Sequence, residues 1–338
     1  MSQPREPLRR IVVVGGGQVG VLAALALRRS LPGCEVVVIG GVPNPASFAD
    51  WSPTAMPFTN KLHDRLGIAE ADIVMKAGGS YRLITRYMAW GGAGHSGALA
   101  YGEALDPALK TAFARDWGGV RALGGSTPPP GSIAQVLAEA GRFAPPPPEE
   151  STPISSVDYA LRWNPAAYRA LLIEAAEAAG VGYFDGVIDR VEPGEGDTIA
   201  AVGLAGQGLI EADLFVDCSG PQAVLLAEQP GFAFVDWSHS LPTRTVYLSE
   251  PGAPMMALED RVTLTGLGWV TEVAGRDGLQ VTLGTPAHVP REDALAYGEA
   301  LDPALKTAFA RDWGGVRALG GSTPPPGSIA QVLAEAGR

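Results

Sequence analysis

The sequence predicts an α/β fold organised around a parallel β-sheet, and three segments support this prediction. A β-branched run at 11–15 leads into glycines and then into an apolar, alanine-rich stretch at 18–30, which is the pattern of a strand, a turn and a helix. A second β-branched run follows at 35–40 and predicts the second strand of a βαβ unit. A third apolar run, at 212–217, predicts a further, buried strand.

The turn between the first strand and the first helix has the spacing Gly15-x-Gly17-x-x-Gly20. The first glycine permits the tight turn, the second lets a diphosphate approach the backbone, and the third lets helix and strand pack closely. The N-terminus of the helix then presents free N–H groups and a partial positive charge to the phosphates. The pattern predicts a Rossmann-like dinucleotide site, and the alternative is a glycine-rich turn that binds nothing. The candidate cofactor-binding residues here are Val14, Gly15, Gly16, Gly17, Gln18, Val19 and Gly20.

The end of the second strand argues against a tight NAD site. In NAD-binding folds an acidic residue at this position binds the ribose hydroxyls. Here the position holds Gly40-Gly41. A dinucleotide bound at the turn would therefore lack that contact.

The rest of the chain alternates between short helices, strands and proline-rich connections. Asn164 is a predicted helix cap, with Pro165 in the first turn and Gly180 after the last. The predicted elements are a short helix near 58–66, a strand at 80–90, two helices within 98–142 that begin near Asp106 and Ser132, a proline spacer at 145–148, a helix at 164–180 and a β-meander before 212.

One segment occurs twice. Residues 98–142 and 294–338 are identical at all 45 positions. Two different packing environments are expected to demand different core residues. The first copy continues into Phe143 and the proline spacer, so we interpret the second copy as the inserted one, standing in place of a native C-terminal segment.

Composition excludes several classes of partner. The chain of 338 residues has 46% hydrophobic residues and a net charge of −11, which argues against nucleic acid and anionic membranes as partners. No apolar run is long enough to span a membrane, and no apolar signal region precedes the first strand. Two cysteines and four scattered histidines predict neither a disulfide framework nor a metal site. These features predict a cytoplasmic protein.

Taken together and in this order, several segments resemble the flavin-dependent tryptophan halogenases. They are GGGQVG at 15–20, LGIAEADIVMKAGGSYRLITRYMAW at 66–90, the helix at 164–180, ADLFVDCSGPQAVLL at 212–226, FVDWSHSLPTRTVYL at 234–248 and TGLGWVTEV at 265–273. The resemblance implies a Rossmann-like FAD-binding domain of the flavin-monooxygenase type, with an inserted mixed sheet and a helical substrate module. It divides the chain into the N-terminal part of the FAD domain at 8–97, a helical and proline-rich insertion at 98–163, a return to the FAD domain with the substrate sheet at 164–293, and the second copy at 294–338.

The chemistry that the resemblance implies begins with reduced FAD, supplied by a separate flavin reductase. FAD and oxygen form a flavin hydroperoxide, chloride or bromide attacks it, and the resulting hypohalous acid travels to an amine beside the substrate. The substrate is tryptophan or another electron-rich aromatic compound. A homodimer is an open option for the assembly.

Two departures from the family pattern bear on the reaction. The active-site lysine of the family matches Arg82, which can hydrogen-bond hypohalous acid but stays protonated and is a poor nucleophile. Lys76 is the nearby ammonium that could substitute. The Trp-x-Trp-x-Ile-Pro signature reads Trp269-Val270-Thr271-Glu272-Val273-Ala274. Arg82 is therefore the candidate catalytic residue, and two alternatives stay open: a flavin monooxygenase or oxidase, and an inactive FAD-binding remnant.

Two further residues are candidates for contact with the cofactor. Asp217 follows the strand at 212–217, at the strand end where ligands of open α/β sheets bind, and it either contacts the ribityl chain or caps the next turn. The resemblance implies that the backbone of Val187 lies beside the adenine, and the alternative is a core valine of the meander. Cys218 is expected to be inert, because it follows a buried strand.

Overall fold

The fold is described by a computed structural model that covers residues 7–44, 46–101, 132–147, 149, 150, 155, 157–233, 235, 240–248, 252–300 and, in backbone only, 317 and 318. The described helices are α1 (Gln18–Ser30), α2 (Phe58–Leu66), α3 (Glu70–Lys76), α4 (Ile133–Glu139), α5 (Pro165–Ala178) and α6 (Arg291–Ala300). The described strands are β1 (Arg10–Val14), β2 (Glu35–Ile39), β3 (Ser80–Arg82), β4 (Ile84–Met88), β5 (Ser96–Ala100), β6 (Ala160–Arg162), β7 (Gly182–Phe184), β8 (Ile188–Pro193), β9 (Ile199–Leu204), β10 (Gly208–Glu211), β11 (Leu214–Asp217), β12 (Thr243–Leu248), β13 (Glu259–Thr265), β14 (Gly268–Val273), β15 (Gln280–Pro286) and β16 (Arg317–Ala318).

A four-stranded parallel sheet, in the order β11-β1-β2-β7, forms the first part of the fold and confirms the predicted α/β class. The inclusion of residues 183 and 184 in the predicted β-meander is wrong, because β7 pairs in parallel with β2, and the meander consists of β8, β9 and β10. The predicted buried strand at 212–217 is shorter and more exposed than expected. It spans Leu214–Asp217 and pairs on one side only, with β1, which leaves Leu214 exposed.

Side chains of β1 and β2 alternate between two cores, as the two-residue period of a strand requires. One face of the sheet packs against α1 and α5 and buries Ile11 and Val13 with Leu25 and Leu172. The other face packs against the meander and buries Val12 and Val14 with Val202 and Leu204 of β9. The sheet is therefore covered on both sides, which explains the continuous β-branched runs that predicted it.

A seven-stranded mixed sheet, in the order β16-β12-β15-β14-β13-β4-β5, forms the second part of the fold. β4 pairs in parallel with β13, so the segment around residue 84 lies in the same sheet as strands that come almost 180 residues later in the chain. A two-stranded sheet of β3 and β6 lies beside this connection, and Leu83 donates its N–H to the Leu258 carbonyl. No helix in the described ranges is long and apolar enough to cross a membrane.

The duplicated sequence takes two different structures where the described residues allow a comparison. Ala98 and Ala100 lie in β5, whereas the identical residues 294 and 296 lie in α6, so the interpretation of residues 98–142 as two helices is wrong for residues 98–100. β5 forms because β4 offers an open edge, and α6 forms because Ala294 is fully buried against the mixed sheet. Tertiary contacts thus override local propensity. The predicted helix start near Asp106 lies outside the described residues.

The helix starts at Ser132 and Asn164 are confirmed. The Ser132 hydroxyl accepts a hydrogen bond from the Gln135 N–H, and the Asn164 side chain accepts from the N–H groups of Ala166 and Ala167. Gly180 ends the α5 segment with a positive φ of 83°, the left-handed conformation that glycine adopts without strain.

His63 is buried beneath α5 and is expected to make the stability of the protein depend on pH. Its Nε2 lies 2.5 Å from the Tyr168 hydroxyl, and burial lowers its pKa from 6.5 to about 4. Between pH 6.5 and pH 4, His63 is protonated in the unfolded chain but neutral in the folded one, so unfolding takes up a proton. The contribution of His63 to the free energy of unfolding is therefore fully present above pH 6.5 and is lost as the pH falls towards 4. We expect the loss to reach about 3 kcal/mol, since one pKa unit corresponds to about 1.4 kcal/mol.

Urea denaturation of the wild-type protein and of a His63→Gln variant between pH 7 and pH 4 measures this loss. The variant should lose about 3 kcal/mol less than the wild type over this range. His288→Gln, which changes an exposed histidine, should retain the wild-type dependence. Equal pH dependence in all three proteins would contradict the assignment to His63.

Candidate functional site

The carboxyl ends of β11, β1, β2 and β7 meet at one edge of the parallel sheet. Val14 pairs with Asp217 on one side and with Ile39 on the other, and Ile39 pairs with Phe184. The glycine turn at 15–20, Gly40-Gly41, the loop that contains Val187 and the turn after Asp217 therefore emerge side by side. This edge brings together every predicted cofactor-binding residue, at the place where open α/β sheets bind ligands.

The glycines of the turn are required because three backbones approach one another there. A Cβ on Gly15 would overlap the Cys218 carbonyl, and one on Gly16 would overlap the Gly40 carbonyl. A Cβ on Gly20 would overlap the Gly15 carbonyl, which keeps α1 close to β1. Gly15 also has a φ of 129°, which other residues rarely adopt.

Some backbone groups of the turn form hydrogen bonds with the neighbouring strand ends, and others have no hydrogen-bond partner among the described residues. Gly15 donates its N–H to the Ile39 carbonyl and Val14 accepts from Cys218, so these groups serve the sheet. Gly17 and Gln18, at the start of α1, have N–H groups with no hydrogen-bond partner among the described residues. The Gln18 side chain is buried and donates 2.8 Å to the Asp50 carbonyl, so Gln18 can contribute only its backbone to a ligand.

Arg169 of α5 and Tyr183 of β7 hold two of the turns together, and the sequence analysis missed both. Arg169 donates through Nε to the Gly16 carbonyl at 2.6 Å and through Nη2 to the Gly41 carbonyl at 3.1 Å. Tyr183 accepts from the same Nη2 at 2.7 Å and donates to the Gly40 carbonyl at 2.6 Å. No local pattern marks these residues, because they come from an element more than 120 residues after the turns.

Asp50 is a third residue that the sequence analysis missed. It lies in the short helical turn Phe48–Trp51 and is 6% exposed. Its Oδ1 accepts a hydrogen bond of 2.9 Å from the Val19 N–H, and a Cβ on Gly17 would overlap its carboxylate. Burial raises the pKa of Asp50, while the Val19 N–H and the charge of Arg169 act in the opposite direction. An acidic group of the protein itself thus lies at the N-terminus of α1.

Asp217 has the bonding pattern of a cap. Its Oδ1 accepts from the N–H and hydroxyl of Ser219, and its Oδ2 accepts from the N–H groups of Leu225 and Leu226 at 2.9 and 3.0 Å. This bonding favours the second of the two predicted roles for Asp217, because both oxygens are already used. Val187 is 72% exposed in the loop before β8, so it is not a core valine of the meander.

Arg82 lies away from this edge, in a buried cluster with Asp260 and Arg162. Arg82 Nη1 lies 2.7 Å from Asp260 Oδ2, and Arg162 Nε lies 2.8 Å from Asp260 Oδ1. The three residues are at most 8% exposed and have two positive charges for one negative charge. Burial lowers the pKa of Arg162, the Asp260 carboxylate raises it, and the neighbouring Arg82 lowers it further.

Hydrogen bonds to carbonyl groups complete much of this cluster. Arg82 Nη2 donates 3.0 Å to the Ala55 carbonyl, and Arg162 Nη1 donates 2.7 Å to the Ala257 carbonyl. Arg82 Nε and Arg162 Nη2 are buried without a partner in the described part of the chain. The Tyr101 ring lies 5.1 Å from Arg82 Cζ. Arg82 therefore has a guanidinium that Asp260 and the Ala55 carbonyl hold in place, and its Nε–H is not used by these bonds.

Lys76 and Trp269 have environments that limit their chemistry. Lys76 is half-exposed at the end of α3, where Asp72 and Glu174 lie 3.4 and 3.7 Å away and raise the pKa of its ammonium. An ammonium that remains protonated at neutral pH is a poor substitute for a nucleophilic amine.

Trp269 is part-buried in β14, donates to the Thr243 hydroxyl and packs over Gly284.

Cys218 and the histidines of the described ranges offer no further site. Burial raises the pKa of the Cys218 thiol, with added effects of Asp217 and Asp50, which is the behaviour of an inert cysteine. Within the described ranges, no three His, Cys, Asp or Glu side chains are grouped so that they could hold a metal ion.

The family model described as tryptophan halogenase matches residues 10–296, and the last three residues of this match belong to the second copy of the duplicated segment. The tryptophan 7-halogenase RebH of Lentzea aerocolonigenes is 26% identical over 255 residues, which is 69% of this chain and 46% of that protein. The tryptophan 7-halogenase KtzQ of Kutzneria sp. is 26% identical over 262 residues, which is 72% of this chain and 48% of that protein.

Solved structures show the same relationship. BrvH, a flavin-dependent halogenase from Brevundimonas sp. BAL3, is 27% identical with a TM-score of 0.75, over 86% of this chain and 59% of that one. Xcc4156, a flavin-dependent halogenase from Xanthomonas campestris, has the same TM-score at 22% identity, over 87% of this chain and 59% of that one, and shows the fold alone. The chain spans about half the length of the curated relatives named above.

The shared carboxylate of the arginine cluster is expected to be essential for stability. An Asp260→Asn substitution leaves two buried guanidinium groups without a counter-charge, and breaking a buried pair in this way costs about 3 to 5 kcal/mol. Urea denaturation at pH 7 measures the loss. Asp72→Asn is the control, because it removes a half-exposed partner of Lys76 and should change the free energy of unfolding little. Equal effects of both substitutions would contradict the account of the cluster.

Proposed function

The chain belongs to the tryptophan halogenase family, and from this premise we propose that it binds FAD at the β1–α1 turn and halogenates an electron-rich aromatic compound, tryptophan or a related indole. The observation that supports the proposal most strongly is the family match over residues 10–296, which includes the turn, the parallel sheet and all strands of the mixed sheet except β16. Because the curated relatives are about twice as long as the matched region, the activity of the whole protein is part of the proposal.

The turn fits the ADP part of FAD. The N–H groups of Gly17 and Gln18, which have no partner among the described residues, lie at the N-terminus of α1. This helix has 13 residues, and its dipole favours a negatively charged group at this end. Gly40-Gly41 and the exposed loop with Val187 leave the adjacent strand ends open for the adenosine part. Asp50 is an acidic group at the start of α1, and its charge opposes a diphosphate there.

In the proposed mechanism, these residues bind and orient the cofactor. The Gly17 and Gln18 N–H groups donate to the diphosphate, while Arg169 and Tyr183 fix the spacing between the Gly15–Gly17 turn and Gly40-Gly41. FAD, when bound, reduced by a separate flavin reductase and supplied with oxygen as the oxidant, would provide the chemistry that turns a halide into hypohalous acid. The protein's contribution is position and exclusion of water.

Arg82 is the proposed residue that holds the hypohalous acid. Its buried Nε–H has no partner, so it can donate one hydrogen bond, and Asp260 fixes the plane of the guanidinium. Because arginine stays protonated, the proposed role is a hydrogen-bond donor that orients the acid towards the substrate, and no covalent bond to Arg82 forms. This role replaces that of the lysine which the resemblance assigns to the position.

The activity is tested with FAD, a flavin reductase, oxygen, and chloride or bromide, using tryptophan, indole, phenol and pyrrole as substrates. The expected result is a product whose mass spectrum has the isotope pattern of the added halide. Arg82→Gln should lower the yield at least tenfold while FAD binding is retained. Halide-independent release of hydrogen peroxide, a hydroxylated product, or no halogenated product from any substrate with FAD bound would contradict the proposal.

Arg169 is expected to affect FAD affinity through the spacing of the turns. Arg169→Gln removes donors from the Gly16 and Gly41 carbonyls and should raise the Kd of FAD about tenfold, as loss of charged hydrogen bonds implies. Arg28→Gln is a matched control, because Arg28 of α1 also donates to carbonyls, but it bonds Ala179 and Pro32 at the other end of the helix. It should change the Kd less than twofold, and equal Kd changes in the two variants would contradict the positioning role.

A further inference from the structure

Asp50 occupies the position where the proposed function places the diphosphate of FAD. Its Oδ1 accepts the Val19 N–H at the start of α1, and its carboxylate lies so close to Gly17 that a Cβ there would overlap it. The start of a helix is the position where an anionic group is most favourable. In this chain a side chain that is 6% exposed already fills part of it.

Few other charged groups face this carboxylate. From α1 it meets the Val19 N–H, while the amide of Gln18 bonds the Asp50 backbone carbonyl. From α5 it is influenced by the positive charge of Arg169, and from the turn after β11 it influences the Cys218 thiol, on which Asp217 also acts. Among the described residues, Arg169 is the one cation that acts on Asp50, and its Nε and Nη2 donors already bond to Gly16, Gly41 and Tyr183.

We propose that the carboxylate of Asp50 competes with the diphosphate of FAD for the N-terminus of α1, so that protonation of Asp50 strengthens FAD binding. The inference rests on the proposed function, because it concerns the affinity of the same site. An ionised Asp50 repels the diphosphate and blocks one N–H group, whereas a protonated Asp50 carries no charge. FAD binding is therefore coupled to uptake of one proton by Asp50.

The direction of the pH dependence follows from this coupling. Burial already raises the pKa of Asp50, and a bound diphosphate raises it further by repulsion. Affinity for FAD rises as the pH falls through the range between the pKa of the bound form and the pKa of the free form. Above that range the carboxylate remains ionised and affinity is at its lowest.

The test measures the Kd of FAD, ADP and adenosine by calorimetry between pH 5.5 and pH 8 for the wild-type chain and Asp50→Asn. At pH 8 the variant should bind FAD and ADP at least tenfold more tightly than the wild type, and the difference should shrink as the pH falls. Adenosine, which has no diphosphate, should bind both proteins equally. Asp64→Asn, which removes an exposed acid from α2, should bind all three ligands like the wild type.

A second variant keeps the test informative if Asp50→Asn does not fold. Asp50→Ser keeps an acceptor that can bond the Val19 N–H without the charge, and it should also bind FAD more tightly than the wild type at pH 8. Wild-type binding of FAD with no gain in either variant would overturn this inference and leave the proposed function intact. Absence of FAD and ADP binding in every variant would overturn both.

Discussion

Close approach of three backbones at the β1–α1 turn is the constraint on which the proposed site depends. Gly15 faces the Cys218 carbonyl, Gly16 faces the Gly40 carbonyl, and Gly20 faces the Gly15 carbonyl, and none of these positions has room for a Cβ. The ends of β11, β1 and β2 can approach one another this closely only where the turn has no Cβ atoms. The three strand ends therefore meet at one edge of the sheet. α1 then begins directly beside the strand ends, with N–H groups of Gly17 and Gln18 unpaired among the described residues.

Buried and part-buried charged side chains form two separate groups with different roles. At the sheet edge, Arg169 is bonded to backbone carbonyls, and Asp50 lies at the start of α1. The second region is the Arg82–Asp260–Arg162 cluster, which joins the β3–β6 sheet to β13 of the mixed sheet through one buried carboxylate. Losing either arginine leaves that carboxylate with one cation, whereas losing the carboxylate leaves two buried cations facing each other.

Local patterns made the β1–α1–β2 unit, the caps at Ser132 and Asn164 and the glycine turn predictable, because each depends on neighbours in sequence. The parallel pairing of β7 could not be read from its three residues. Asp50, Arg169 and the Arg82–Asp260 pair were also beyond sequence reasoning, since their partners lie 31 to 178 residues away. The duplicated segment shows the same limit, because Ala98 lies in a strand and Ala294 in a helix.

The central claim is that the start of α1 binds the diphosphate of the cofactor. Amide chemical shifts of the ¹⁵N-labelled, deuterated full chain, recorded as ADP is added, test it most directly. The Gly17 and Gln18 amide signals should shift most, and the dependence of these shifts on ADP concentration should give the Kd measured by calorimetry. ADP binding that moves other amides and leaves these two unchanged would contradict it.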